Sequence, residues 1–344
     1  MQKTTTTSVG SMLRALLMLG PGMAFAAAAL AGNDDFPRPL SIGNQSPVMG
    51  VFGIPRAQGT AVPGAGVTRW EASLDLTSHF QGSETSDRSI LFDGETARLA
   101  IQWRYGIDDK WSAGVELPWV HHGPGFLDQF IIDWHDLWGF PQDGRGNTAN
   151  HRIRYRYERG GETLLDIDSS TGGVGDIVLS AQRRLWRGEN NAGVLHAQLK
   201  LPTGDPDNLT GSGAADAAVG VEMSRQWRAG WHSMFRAGAG HLGEGDVLPG
   251  LQRAWAAYGG LDVVWRPIRA LSFRVQYDAH TSPYGNSGLR ELDGWSGLLT
   301  TGGTWHVNDR FALDLAVVEN VPNASPVPDV SFHLRLRTTG AGGR

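Results

Sequence analysis

From residue 67 onward the chain repeats one unit, about ten residues that alternate apolar and polar, followed by a turn. Trp70, Ala72, Leu74 and Leu76 alternate with Arg69, Glu71, Ser73 and Asp75. Leu99, Ile101, Trp103 and Tyr105 follow the same rule, as do Leu195, Ala197, Leu199 and Leu201. So do Leu271, Phe273, Val275 and Tyr277, then Phe311, Leu313, Leu315 and Val317, and last Val330, Phe332, Leu334 and Leu336. A period of two puts successive side chains on opposite faces of a strand, whereas a helix would repeat its apolar residues at i, i+3 and i+4. Strands are expected to begin near residues 67, 95, 111, 174, 192, 214, 230, 253, 270, 295, 310 and 329, which makes twelve. A charged hairpin, His151–Glu158 with Glu162–Asp168, would raise the count to fourteen. Its short length and the alternating Arg152, Arg154 and Arg156 favour an extracellular loop instead.

Alternation alone also fits a soluble sandwich, so three further features decide the class. The strands are about ten residues long, against five or six for most soluble strands. Tight links at 106–110, 187–191, 227–229, 266–269 and 306–309 alternate with longer ones near 80–94, 203–213, 242–252, 282–294 and 320–328. That is the short-periplasmic, long-extracellular rhythm of outer-membrane barrels. Finally, Trp255 and Trp265 bracket one strand, and Trp295 and Trp305 another. Ten residues span about 33 Å along a strand and, at a tilt of about 40°, about 25 Å along the membrane normal, the height between two aromatic girdles. The expected fold is all-β: an antiparallel transmembrane β-barrel of about twelve strands.

Composition agrees. No apolar run after residue 31 approaches the ~18 residues a membrane helix needs, and a closed barrel is the other structure that can span a bilayer. The chain has no Cys, which excludes a disulfide framework or a Cys-ligated metal. Residues 1–31 read as a secretory signal: Lys3 and Arg14, the apolar stretches 15–19 and 23–31, and a small-x-small site at Ala29–Ala31. Without those two cations, 28 Lys and Arg face 35 Asp and Glu, which is no nucleic-acid footprint. The expected divisions are the signal, an irregular segment 32–66, a barrel over 67–338 and a tail over 339–344.

Two segments break the rhythm. Residues 32–66 are rich in Pro and Gly and belong in the lumen or at the periplasmic mouth. Between the third and fourth strands, Phe126, Phe130, Ile131, Trp134, Leu137 and Trp138 share one helical face and Asp128, Asp133 and Asp136 another. This amphipathic helix packs on the rim or forms a lid, an apolar docking site for a ligand.

Candidate chemistry is sparse. The polar strand faces point into the lumen and supply Arg98, Arg104, Glu116, Lys200, Asp216, Glu222, Arg236, Asp262, Arg274, Asp278, His280 and Asp314. Their signs balance, whereas an ion-selective constriction shows one sign. A lumen cross-braced by ion pairs is the plainer expectation. Asp278, His280 and Ser282 alternate onto one face and could activate a serine for lipid hydrolysis, but they share that face with Arg274 and Gln276. Adjacent His121 and His122 point to opposite faces and make a poor metal site. No catalytic residue, metal or cofactor is expected.

Gly173-Val174-Gly175-Asp176-Ile177 followed by Leu199-Lys200-Leu201-Pro202-Thr203-Gly204-Asp205 resembles a pattern in the phenol-degradation MetA-pathway barrels. More of the chain, over roughly residues 37–338, is similar to a related proteobacterial outer-membrane family defined only as a domain of unknown function. That likeness is carried by Pro39-Leu40, Asn44-Gln45-Ser46-Pro47, His122–Phe126 with Trp134-His135, and Asp278–Thr281. It implies the outer membrane of a Gram-negative bacterium and a barrel, and no activity. The last strand lacks the usual terminal aromatic, which leaves Phe332 and Leu336 to engage the barrel-assembly machinery. The expected partners are that machinery, outer-membrane lipid and an unidentified small molecule, with no nucleic acid. The expected function is a channel or transporter for a small molecule, a hydrophobic one if the loop helix receives it. The alternatives are a non-conducting structural or surface barrel and, less favoured, a lipid-acting hydrolase.

Overall fold

The computed structural model describes residues 36–129, 133, 151–321 and 324–339. The alternating segments form strands β1 (Thr68–Glu84), β2 (Arg88–Gly106), β3 (Trp111–Gly123), β7 (Val178–Arg187), β8 (Asn191–Lys200), β9 (Asp216–Arg228) and β10 (Trp231–Leu242). They continue with β11 (Trp255–Ile268), β12 (Leu271–His280), β13 (Ser296–His306), β14 (Phe311–Asn320) and β15 (Val330–Thr338). Neighbours pair antiparallel, and β15 returns to β1 from Glu71↔Arg337 to Ser78↔Val330, so these twelve strands close on themselves. Closure leaves no edge strand whose backbone groups would face lipid unpaired.

The burial pattern is inverted relative to a soluble barrel. On β12, Phe273 and Val275 are each 51% exposed, while the intervening Arg274 is 3% and Gln276 1% exposed. Leu261 on β11 and Leu315 on β14 are exposed, and Asp262 and Asp314 beside them are buried. Apolar residues outside and charges inside describe a wall with lipid on its outer face. Trp265 and Trp305 mark its short-turn end, Trp255 and Trp295 its long-loop end, and all four rings are exposed. Two of the short turns are built alike. Asp108 Oδ1 accepts from Lys110 and Trp111 N–H at 2.7 Å, and Asn308 Oδ1 accepts from Arg310 and Phe311. Those backbone donors hold the Asp108 carboxyl below its ordinary pKa. Among the described residues no helix is long and apolar enough to cross a membrane.

The upper end of the wall departs from the expected layout. Instead of a long connection over 80–94, β1 and β2 continue past the membrane and pair as far as Glu84↔Ser89. The charged hairpin expected in a loop is two strands, β4 (Arg154–Arg159) and β5 (Glu162–Ile167), laid against β2 from Arg88↔Arg159 to Asp93↔Arg154. It lies outside the closed ring, so the ring keeps twelve strands. Here lipid and lumen no longer face opposite sides, and the alternation fades: Ile90, Phe92, Tyr155 and Tyr157 pack inward under the loops. β6 (Thr171–Val174) likewise covers the top of β3 from Trp119 to His122, while β7 pairs with its lower half, Trp111–Glu116. The switch falls at Pro118, which cannot donate to a ladder, and Gly175 N–H bonds its carbonyl at 2.9 Å. Of the helix expected over 126–138, only Asp128, Gln129 and Asp133 are described as helical. Phe130, Ile131, Trp134, Leu137 and Trp138 lie outside the described residues, as does the signal segment 1–31. Phe126 is exposed and Leu127 buried against Val330.

Candidate functional site: the occupied lumen

Residues 36–66 contain no strand, yet most of them are buried. A buried backbone without secondary structure must find partners elsewhere, and the inward side chains of the wall provide them. The segment enters at the short-turn mouth, where Phe36 meets His232 edge-on at 6.4 Å and Arg38 bonds the Thr338 carbonyl. It rises beside β12–β15. Arg335 donates to the Pro39 carbonyl at 2.7 Å, and Gln276 bonds both the N–H and the carbonyl of Leu40. Higher up, Asn44 donates to Ser296 Oγ and the Pro326 carbonyl.

The chain turns over at 46–50 and descends along β9. Gly53 N–H donates to Asp216 at 2.7 Å, Gln58 and Gly59 N–H donate to the two oxygens of Glu222, and Thr60 bonds Ser224. The spacing, 53 to 216 and then 59 to 222, shows an extended chain running at the rise of the strand beside it. Gln198, Arg236, Gln182, Arg69 and Arg184 donate to the carbonyls of Gly53, Pro55, Gly59, Ala61 and Val62. The two limbs touch where Gly59, at φ +84°, passes Pro39. A Cβ there would lie 2.7 Å from the proline ring. At the mouth, Gly66 bonds Gly106 and the chain enters β1.

The top of this loop is apolar. Val48, Met49, Val51 and Phe52 pack with Leu242 at the end of β10 and with Leu209, Val247, Leu248, Leu251, Tyr284, Leu289 and Leu292 from the long loops. Phe52 meets Tyr284 edge-on at 5.3 Å, and the Tyr284 hydroxyl donates to the Val48 carbonyl at 3.1 Å. The lumen is thus capped at one end and threaded throughout. A cavity of about 90 Å³ remains between Met49–Arg56 and the inward side of β2, β3 and β7, lined by Arg98, Glu116, Pro118, Val120 and Val178. At roughly 10–15 Å³ per water that is room for several waters.

The expected lumen residues lie on the inward faces and meet in pairs. Arg98 pairs with Glu116, Arg236 with Asp278 at 2.6 Å, Arg274 with Asp262 at 3.2 Å, and Lys200 with Asp216 at 3.2 Å. Asp314 takes both Arg335 and Arg337. Glu222, Arg104 and His280 are instead directed at the segment, through Gln58 and Gly59, Gln58, and Asn44 respectively. Reasoning from charge passes over Gln182, Gln198, Gln276 and Tyr284, which hold the segment as firmly. For the three glutamines the available signal was an amide on the inward face of an apolar-alternating strand, whereas Tyr284 stands in the loop after β12 and carries no such signal.

Comparison with known proteins places this architecture. The family model described as a protein of unknown function, DUF3187, matches residues 16–339. The chain belongs to that family. A search of curated proteins finds no match. Among solved structures, the COG4313 outer membrane channel from Pseudomonas putida F1 is similar over 81% of this chain and 97% of its own, at 12% identity and a TM-score of 0.54. The toluene transporter TbuX from Ralstonia pickettii matches over 89% of this chain and 96% of its own, at 11% identity and a TM-score of 0.41. The porin NanC covers 79% of this chain and is itself covered completely, at 7% identity and 0.44. What this chain shares with the Pseudomonas putida channel is the outer-membrane barrel fold.

In this DUF3187 barrel, the two glycine-containing motifs singled out in the sequence meet at one corner. Asp176 accepts from Gly204 N–H at 2.8 Å and from Lys200 at 2.7 Å, and Thr203 Oγ1 bonds across to Gly175 and Ile177. Lys200 then donates to the Val51 carbonyl at 2.9 Å. The motif corner therefore grips the turn-over of the threaded segment. Asp278 and His280 lie at the top of β12 and Ser282 in the loop that follows it, but each is engaged elsewhere. Asp278 holds Arg236, His280 faces Asn44 and the Thr281 carbonyl, and Ser282 donates to the Leu292 carbonyl. His121 stacks on Trp119, whereas His122 is buried between Thr96 and the Leu209 carbonyl.

Proposed function

We propose that the protein is an outer-membrane channel for a small molecule, closed in the described state by its own residues 36–66. The observation that carries this reading is how the segment is held. The wall completes its ladder without it, and the segment's backbone bonds to polar side chains that water can satisfy equally well. Exchanging such a bond for water costs only about 0.5–1.5 kcal/mol. The pairs made within the wall, Arg98–Glu116, Arg236–Asp278, Arg274–Asp262 and Asp314 with Arg335 and Arg337, keep their partners once the segment leaves, whereas Asp75 and Glu71 give up Arg56 and Arg38 and retain His333 and Arg335. The fold shared with the Pseudomonas putida channel points the same way.

The passenger is small and partly apolar. Val120, Pro118 and Val178 share the cavity with Arg98 and Glu116, and Phe126 stands exposed in the long loop after β3. A second reading, a permanently sealed structural barrel, draws on the apolar cap around Phe52 and Tyr284.

A cross-link separates the two. The chain has no Cys, and Asn44 Nδ2 lies 3.0 Å from Ser296 Oγ, so Asn44→Cys with Ser296→Cys would tether the segment to the wall. The channel reading expects oxidation of this pair to abolish solute entry into proteoliposomes and reduction to restore it. Entry that is equal in both states rejects gating by the segment. No entry in either state or in the unmodified protein favours the sealed barrel.

A further inference from the structure

At the short-turn end of the wall, aromatic rings and guanidinium groups alternate along the outer surface. Arg183 of β7 lies over the Trp111 ring at 5.5 Å, Arg225 of β9 over Trp227 at 4.5 Å, and Arg228 over Trp231 at 5.4 Å. Trp231 stacks on Trp265 at 6.0 Å, and Trp265 leans on Phe273 at 5.8 Å. Between the first two pairs, Trp186 lies flat across Gly193, where a Cβ would sit 2.2 Å from the ring.

Strand register makes these one row. Trp111 is opposite Arg183, Arg225 opposite Asn191, and Trp231 opposite both Arg228 and Trp265. Immediately above the row the outward face is apolar, with Leu179, Val219, Met223 and Val263 exposed. The row therefore sits at the depth where acyl chains give way to headgroups.

The charge there is mainly positive. Among the described residues no carboxylate pairs with Arg183, Arg225 or Arg228, and Lys110, Arg187 and Arg269 stand exposed in the adjoining turns against Asp108, Asp109 and Glu189. A guanidinium stacked on an indole face keeps its N–H edge free for a phosphate, and the ring holds it flat at the interface. Arg183, Arg225 and Arg228, with no carboxylate beside them among the described residues, favour anionic lipid at this depth. At the long-loop end, Trp255 and Trp295 are exposed without a described guanidinium over either ring.

We propose that the belt spanning β7 to β11 binds the phosphate groups of anionic phospholipids in the leaflet on the short-turn, periplasmic side. The site is independent of what passes through the lumen. It fixes the barrel's depth and keeps negatively charged lipid around one arc of the periplasmic rim.

Native mass spectrometry of the folded chain, released from detergent with phosphatidylglycerol or with phosphatidylcholine, tests the proposal. The native protein should retain phosphatidylglycerol about tenfold or more in preference, the order expected for several guanidiniums near an anionic lipid. Arg183→Gln, Arg225→Gln and Arg228→Gln together should remove the preference. Arg253→Gln, exposed at the opposite rim, should leave it intact. Equal retention of the two lipids by the native protein overturns the proposal, whether or not the triple variant folds. So does an undiminished preference in a folded triple variant.

Discussion

Leu40 and Gln276 bond each other twice, the Leu40 N–H to Oε1 at 3.0 Å and the Gln276 amide nitrogen to the Leu40 carbonyl at 2.9 Å. The side-chain amide copies what a neighbouring strand would offer, a donor and an acceptor side by side, to a chain that has no neighbouring strand. The same device recurs with Gln198 and Asp216 at Gly53 and with Gln182 and Glu222 at Gly59. A polar lumen is therefore a requirement of threading an irregular chain through a barrel.

Replacing Gln276 with Leu should loosen the ascending limb and remove from the wall only the hydrogen bond that Gln276 donates to Asp278. Both backbone groups of Leu40 would be orphaned at a cost of about 1–3 kcal/mol. Hydrogen exchange at the Leu40 amide should accelerate at least about tenfold, with at most a small fall in the unfolding midpoint of the barrel, because Asp278 keeps Arg236.

Lys200 matters more to the wall than Gln276 does, because it is the charge partner of two wall carboxylates as well as a donor to the segment. It holds Asp176 and Asp216 as well as the Val51 carbonyl, and Lys200→Met would strand two buried carboxylates. Breaking a buried pair in this way costs about 3–5 kcal/mol. The urea midpoint of the refolded barrel should fall, and adding Asp216→Asn should recover part of the loss.

The outward face makes a prediction that separates lipid from water. Leu315 is 57% exposed, and in a soluble protein an arginine there would be nearly neutral. Near the middle of a membrane wall it should cost about 2–4 kcal/mol. Urea unfolding of Leu315→Arg in vesicles should show that loss, and a midpoint equal to that of the native protein would contradict the membrane assignment of this face.

At the cap, Phe52→Ala removes the ring that meets Tyr284 and opens space beneath the long loops. The turn-over of the segment should release more often while the wall stays intact. Single-channel recordings should show longer or more frequent openings, with unchanged heat-modifiability on gels.

The wall was legible because lipid on one side and polar groups on the other impose a period of two, which Leu271–Tyr277 and Phe311–Val317 display without interruption. Above the membrane that constraint lapses, so the continuation of β1 and β2 and the hairpin β4–β5 looked like loops. The threading of residues 36–66 has no periodic signature at all. Its partners stand far off in sequence, Gln276 being 236 positions from Leu40, and each is a single polar residue on an ordinary strand. Asp278, His280 and Ser282 show the converse: a suggestive spacing on one face, with every member committed to a neighbour the sequence does not reveal. The motif corner at Asp176 and Lys200 was visible as a pattern, but its grip on Val51 appears only in three dimensions.

Conductance in a planar bilayer, recorded for the chain from residue 32 onward and for the same chain lacking residues 37–63, bears most directly on the claim that the segment closes the lumen. The intact barrel should be closed with rare openings, and the shortened barrel, refolded and heat-modifiable, should give steady, discrete current steps. A shortened barrel that folds and stays silent would contradict the account, because the wall's own side chains would then be what seals it.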